Sequence, residues 1–291
     1  KMPEAQMFSR FFLLQKRTGM LKSWIKECHD DEKVRGRVMT LKTVTGRMAH
    51  NSPNMAQVPA SYSPYGKEFR SLWTISDPEK YNLIGTDASG LELRCLAHYM
   101  QDKAYINEVV NGDVHTANMK MAGLTNRDQA KTFIYAFLYG AGAAKIGKVV
   151  GGGSAQGREL IERFLGNMPA LKRLRNQVTE AAREGSILGL DGRHLKIRSE
   201  HAALNTLLQG AGAIICKEWL VQITRIINAR GVDAKLVASI HDEYQFEVSI
   251  KDTLNFCRIT KEAILDTSRN LAVVCPLDAQ YKVGKTWAET H

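Results

Sequence analysis

A short stretch at residues 84–94 constrains the fold of this chain most, because it joins a strand pattern to a helical pattern through one acidic residue. Residues 81–84 predict the end of a buried strand, and Asp87 follows it directly. Leu91, Leu93 and Leu96 then begin a spacing that is typical of a helix. A carboxylate between a strand and a helix can hold a divalent metal ion rigidly. The alternative interpretation is a surface aspartate in a tight turn.

A second acidic element lies at residues 239–246, where two strand patterns flank His241, Asp242 and Glu243. This pattern predicts a β-hairpin with Asp242 at its tip. Adjacent like charges are unfavourable unless a cation lies near them, although a polar hairpin tip is the alternative. Only the tertiary fold can bring Asp87 and Asp242 together. If united, they can hold two Mg²⁺ ions about 3.5–4 Å apart, the arrangement that stabilises both reacting oxygens in phosphoryl transfer.

The third element is a predicted helix over residues 126–139, with a recurring side chain every four residues. Arg127, Lys131, Tyr135 and Tyr139 form a slowly drifting stripe about 18 Å long. The cations occupy the N-terminal half, where the helix dipole also favours phosphates, and the tyrosines occupy the half where a sugar and base could stack. The stripe therefore favours a nucleoside triphosphate. The alternative is a solvated cation pair next to core aromatics.

Composition agrees with a polyanionic partner. Of 291 residues, 40 are basic and 30 acidic, a net charge of +10, and the 44% hydrophobic content supports a sizeable core. The five cysteines show no Cys-x-x-Cys spacing, which favours reduced thiols in a cytosolic protein over a zinc site. No apolar run approaches the ~20 residues of a membrane span, and residues 1–10 do not resemble a signal peptide.

Taken in order, the three elements resemble the motifs of family A DNA polymerases. Residues 87–94 resemble the first acidic motif, residues 127–140 the fingers-helix motif, and residues 241–243 the second acidic motif. Thr45-Gly46-Arg47 resembles the family's primer-side loop. The residues of these motifs are most similar to those of the replicative polymerases of short-tailed phages. The resemblance covers nearly the whole chain.

The resemblance implies an α+β fold: a right-hand palm of antiparallel sheet with helices, plus helical fingers, with the thumb largely absent. The expected divisions are a residual thumb-base helix and lead-in at residues 1–43, a first palm segment at 44–99, fingers at 100–205 and a second palm segment at 206–291. The segment at residues 184–190 is short for the phage branch.

The resemblance also assigns roles around the metal ions. Asp87 and Asp242 would bind two Mg²⁺ ions, for which Mn²⁺ can substitute, and the carbonyl of Ala88 would be a further ligand. Glu243 would lie near the metals as part of the catalytic set.

Further roles concern the nucleotide. Arg127 and Lys131 would hold the triphosphate, and Lys131 would donate a proton to the departing pyrophosphate. His115 would touch the β-phosphate. Tyr135 would pack on the sugar, while Glu92 and Tyr139 would exclude a 2′-hydroxyl.

The remaining assigned residues concern DNA. Four of them would follow the primer-template minor groove: Arg47, His201, Asn205 and Gln209. His241 would lie near the primer terminus.

Together these assignments imply a template-directed DNA polymerase acting on primer-template DNA and deoxynucleoside triphosphates. The enzyme would act in the cytoplasm or nucleoid, which would be that of the host if a phage encodes it. No membrane is expected among its partners. Expected partners are a thumb and exonuclease-type portion, on this polypeptide or a separate one, and a processivity factor or replisome proteins. Two competing hypotheses are a non-catalytic DNA-binding module and a metal-dependent nuclease. Neither needs a nucleotide-binding helix.

Overall fold

The computed structural model of the chain describes residues 3–291 and shows a helical lobe joined to an antiparallel sheet. The helices are α1 Pro3–Lys26, α2 Gly66–Ser71, α3 Leu91–Met100, α4 Lys103–Asn111, α5 Val114–Ala122, α6 Arg127–Leu138, α7 Ala143–Val149, α8 Ser154–Asn167, α9 Pro169–Arg183, α10 Ala203–Arg230 and α11 Thr253–Asn270. The strands are β1 Arg37–Met39, β2 Ala49–Asn51, β3 Tyr81–Ala88, β4 Ser186–Leu188, β5 His194–Lys196, β6 Ala234–Ile240, β7 Glu243–Ser249 and β8 Ala279–Gly284. The expected α+β class is confirmed.

The central sheet has the strand order β6-β7-β3-β8, and every neighbouring pair is antiparallel. Side chains alternate between its two faces. Ile84 and Phe246 belong to the main core, against α3, α10 and α11, whereas Leu83 belongs to a second cluster with Trp24 and Trp287. Asp87, four residues after Leu83, therefore lies on the face opposite the main core.

Strand β3 is longer than the sequence pattern predicts. It continues through Asp87 to Ala88, because β7 and β8 pair with it on both sides. The sequence after α11 predicts no more than an extended tail, but in the structure this tail contributes β8 to the sheet. Asp87 is therefore held by two strand ladders and does not lie in a turn beyond the strand.

The helical lobe consists of α4 to α9. An amphipathic pattern over residues 158–184 predicts one helix that Pro169 could break. The structure has the break: α8 ends before Pro169, which occupies the first turn of α9, where its missing N–H costs nothing. The Asp-Gly pair within residues 189–193 predicts a hairpin turn, and in the structure this turn joins β4 to β5. Helix α6 begins after Asn126, whose side chain accepts hydrogen bonds from the N–H groups of Asp128 and Gln129. The expected domain divisions remain a prediction, and the one at 205–206 falls inside α10.

Helix α1 packs mainly through its C-terminal half. Trp24 is 6% exposed and makes edge contacts with Phe69 and Trp73, at centroid distances of 5.3 and 4.9 Å. The sequence shows no obvious partner for Trp24 and predicts its burial against further thumb helices; that prediction is wrong, because Phe69 and Trp73 bury it. Phe8 and Phe12 remain 64% and 61% exposed. None of the helices in residues 3–291 combines the length and apolar character that crossing a bilayer requires.

Candidate active site

The fold brings the two predicted aspartates to one end of the central sheet. Asp87 lies opposite Glu243 in the β3–β7 register, and the backbone N–H of Ala88 donates to the carbonyl oxygen of Asp242 at 3.1 Å. The β6–β7 turn consists of His241 and Asp242, and His241 adopts a left-handed φ of 58°. Such a backbone conformation is uncommon for a non-glycine residue and marks a sharply constrained turn.

The electrostatics of this acidic pair favour a bound cation. Burial of the carboxyl group, followed by the charges of Asp242, Glu243 and Glu92, raises the pKa of Asp87 to about 7, although the residue as a whole is partly open to solvent. Burial and then Glu92 likewise raise the pKa of Asp242. A divalent cation would relieve this repulsion, so the oxygen donors fit Mg²⁺. Across residues 3–291, no three His, Cys, Asp or Glu side chains gather into a metal site, so phosphate oxygens would have to complete the coordination.

Glu243 is held by neighbours that the sequence patterns did not predict. Its Oε1 accepts hydrogen bonds from Trp287 Nε1 and Gln245 Nε2, each at 2.6 Å, and its Oε2 lies 2.6 Å from His291 Nδ1. Burial alone would raise the pKa of Glu243, but His291, Gln245 and Trp287 together lower it. Both oxygens of this predicted catalytic residue are therefore engaged by the protein itself. No spacing or motif connects residues 287 and 291 with residue 243.

The segment at residues 286–291 passes directly over β3, and this approach requires a glycine. A Cβ on Gly85 would lie 2.2 Å from the carbonyl oxygen of Thr290. The hydroxyl of Thr290 donates to Gln245 Oε1 at 2.7 Å. The segment thus covers the face of the sheet next to Glu243.

The tyrosine half of the α6 stripe faces the acidic pair. Tyr135 and Tyr139 stack with ring centroids 6.5 Å apart, and the hydroxyl of Tyr139 donates to Glu92 Oε1 at 3.1 Å. The ring of His115 lies 6.1 Å from that of Tyr135. Burial, then the charges of Glu92 and Asp242, raises the pKa of Tyr135. The structure therefore brings four predicted nucleotide-site residues into one neighbourhood.

The cation half of the stripe is more exposed. Arg127 donates from Nε and Nη2 to the two carboxylate oxygens of Asp113, at 2.7 and 3.0 Å. Lys131 is exposed and forms no ion pair with any residue of the described chain. Asp113 was not predicted as a site residue, although an Asp just before a helical pattern is a recognisable N-cap signal.

The predicted DNA-binding residues fall into two groups. Arg47 lies 3.8 Å from Glu92, and it lines a small cavity of about 20 Å³ together with His241. Asn205 and Gln209 lie on α10, where Gln209 donates to Asn205 at 2.9 Å. His201 lies in the 3₁₀ turn Glu200–Ala202, and its carbonyl approaches the end of α6.

The sheet with its acidic end and the adjoining helical lobe define a polymerase palm-and-fingers fold. The structure matches "POL domain of Pol1 from M. smegmatis complex with DNA primer-template and dNTP" with a TM-score of 0.85 and 20% sequence identity, over 94% of this chain and 52% of that one. The profile of DNA polymerase family A matches residues 3–289, so the chain belongs to DNA polymerase family A.

Relatives from phages confirm the resemblance to the phage branch of the family. The chain is 38% identical to the DNA-directed DNA polymerases of Enterobacteria phage T3 and Escherichia phage T7, in alignments that cover 99% of this chain and 47% of each relative. It is 28% identical to DNA polymerase I of Geobacillus stearothermophilus over 87% of its length, which is 31% of that protein. The chain thus spans about half the length of the phage relatives. Their alignments extend over 328 positions, more than the 291 residues here, so both relatives carry segments that this chain lacks.

Proposed function

We propose that this chain carries the polymerase activity of a template-directed DNA polymerase, in which a primer 3′-hydroxyl attacks the α-phosphate of a deoxynucleoside triphosphate. The observation that carries this proposal is the convergence of Asp87 and Asp242 at one end of the sheet, beside Glu92 and the tyrosines of α6. Neither a DNA-binding module nor a nuclease would need that helix next to the carboxylates.

In this proposal the acidic residues would bind the metal ions and the basic residues would bind the triphosphate. Asp87 and Asp242, with the carbonyl of Ala88, would hold two Mg²⁺ ions, which when bound would stabilise the charge on the attacking and leaving oxygens. Lys131 and Arg127 would meet the negative charge of the triphosphate, and Lys131 would protonate the departing pyrophosphate.

The neutral side chains would orient the sugar. Tyr135 would pack on the deoxyribose, while Tyr139, held by its hydrogen bond to Glu92, would leave no room for a 2′-hydroxyl. His115 would contact the β-phosphate. Burial first, then the charges of Arg127 and Lys131, lowers the pKa of His115.

Glu243 would act through position, because its oxygens are already bonded by Trp287, Gln245 and His291. Because Glu243 pairs with Asp87 in the β3–β7 register, fixing Glu243 would keep the ends of the two strands aligned.

The DNA would lie along residues outside this nucleotide site. His241 would lie near the primer terminus, because it forms the β6–β7 turn together with Asp242. Four residues would follow the primer-template minor groove: Arg47, which lies beside Glu92, and His201, Asn205 and Gln209. The net charge of +10 supports binding to a polyanion.

Further partners are also part of the proposal. A thumb and exonuclease-type portion, on this or another polypeptide, would complete the grip on the duplex, and a processivity factor or other replisome proteins would act with it. The exposed face of α1, which includes Phe8 and Phe12, is consistent with an additional contact there. The expected location is a cytoplasm or nucleoid.

Primer extension with one labelled deoxynucleotide and Mg²⁺ tests the proposal. Extension supports the polymerase, binding without extension supports a DNA-binding module, and shortening of the primer supports a nuclease. Asp87→Asn and Asp242→Asn should each abolish extension while DNA binding survives. Glu262→Gln is the control, because Glu262 pairs with Arg230 on the surface of α11. An active Asp87→Asn variant would refute the metal assignment.

A further inference from the structure

One carboxylate outside the predicted site contacts both of the elements that present phosphate-binding candidates. Asp113 is the N-cap of α5: its Oδ1 accepts hydrogen bonds from the backbone N–H groups of His115 and Thr116, at 3.1 and 3.3 Å. The same carboxylate receives Nε and Nη2 of Arg127 at the start of α6. It therefore joins the first turns of two helices.

We propose that Asp113 is a positioning residue for the incoming triphosphate, which presets the guanidinium of Arg127 and the backbone of His115 before the substrate arrives. This inference rests on the proposed function, since it assumes that Arg127 meets phosphate. Asp113 itself would not touch the substrate, because its carboxylate carries the same sign of charge as the phosphates.

The ion pair between Arg127 and Asp113 leaves one nitrogen of the guanidinium free to bind a phosphate. A carboxylate that accepts from Nε and Nη2 occupies one edge of the planar group, and Nη1 of Arg127 remains available to another anion. A long arginine side chain otherwise loses rotamer freedom when it binds. Fixing it beforehand removes that cost from the binding step.

Stability alone does not explain this ion pair. The side chains of Arg127 and Asp113 are 50% and 45% exposed, and pairs so open to solvent contribute little to folding. The N-cap function also does not need a charge, because asparagine caps helices as well as aspartate does. The bidentate pairing is thus separable from the cap by a single substitution.

The decisive variant is Asp113→Asn, which keeps the cap and removes the charged, bidentate pair. Asp102→Asn is the matched control. Asp102 caps α4 through the N–H groups of Ala104 and Tyr105, and forms no ion pair within residues 3–291. The measurements are the Kd of a deoxynucleoside triphosphate for the primer-template complex with Ca²⁺ in place of Mg²⁺, and KM and kcat for extension.

We expect Asp113→Asn to raise Kd and KM by about 2- to 12-fold, the cost of immobilising one flexible side chain, with kcat and the melting temperature unchanged. Asp102→Asn should change neither constant. In an Arg127→Ala background, Asp113→Asn should have no further effect, because the pair is already lost. Unchanged or lower Kd and KM in Asp113→Asn, or an equal rise in the Arg127→Ala background, would overturn the inference.

The two proposals fail differently. If the native chain binds the triphosphate but does not extend a primer, the proposed function is wrong, and the Kd values still decide the role of Asp113. If the native chain extends primers and Asp113→Asn matches it in Kd and KM, only the positioning role is wrong. If it neither binds nor extends, both are wrong.

Discussion

Replacing Gly85 with alanine tests whether the segment at residues 286–291 must lie on the sheet for the site to work. A Cβ at residue 85 would meet the carbonyl oxygen of Thr290 at 2.2 Å and Nε2 of Gln245 at 2.5 Å, far inside the 3.4 Å at which ordinary contact begins. The nearest obstacle is backbone, which cannot rotate away as a side-chain end can. The segment would have to lift from β3.

Two terms set the expected loss of stability. Forcing an extra carbon into a filled space costs about 1–3 kcal/mol. Loss of the hydrogen bond from Thr290 to Gln245 adds about 0.5–1.5 kcal/mol. We therefore expect Gly85→Ala to lower the free energy of unfolding by about 1.5–4.5 kcal/mol. Extension should fall as well, because Trp287 and His291 hold Glu243 through the same segment.

Denaturant titration, with primer extension on the same preparation, measures both effects. Gly19→Ala is the matched control: Gly19 lies within α1, and nothing comes within 4 Å of the added Cβ. Alanine there should stabilise the protein by about 0.5–1 kcal/mol. A Gly85→Ala variant as stable and active as the native chain would refute the argument that this segment is closed over β3.

The remaining predictions concern the acidic pair and the α6 tyrosines. Without metal, the free energy of unfolding should fall as pH rises from about 4 to about 7, because the folded-state pKa of Asp87 is raised from 3.8 to about 7 and its ionisation opposes folding. Thermal melts in chelator should show this slope, Asp87→Asn should flatten it, and an unchanged slope in that variant would exclude Asp87 as its source. Glu92→Ala should admit ribonucleotides more readily, since the hydrogen bond from Tyr139 is lost; an unaltered ratio of ribonucleotide to deoxynucleotide kcat/KM would place the discrimination elsewhere. Tyr135→Phe should penalise dideoxynucleotides selectively, because its hydroxyl could replace a missing 3′-hydroxyl, and equal losses for both substrates would contradict that role.

The sequence alone predicted those features whose information is local. The cap, cations and tyrosines of α6 recur at a helical period, and its observed bounds differ from the predicted ones by one residue at each end. The hairpin that carries Asp242 follows from two strand patterns around a polar turn. The family is also readable from sequence, because each motif is a continuous run and the order of the motifs adds specificity.

Only the tertiary structure decided which distant side chains meet. Asp87 looked like a residue beyond a strand end, yet pairing with β7 and β8 extends the strand through it. Trp24 looked unpartnered, yet Phe69 and Trp73 cover it. Trp287 and His291 hydrogen-bond Glu243, and Asp113 pairs with Arg127. Each of these contacts joins separate elements through single side chains. Helical and strand periods record which face of an element is buried, but not which element packs against that face. The partner therefore depends on how all the elements pack together.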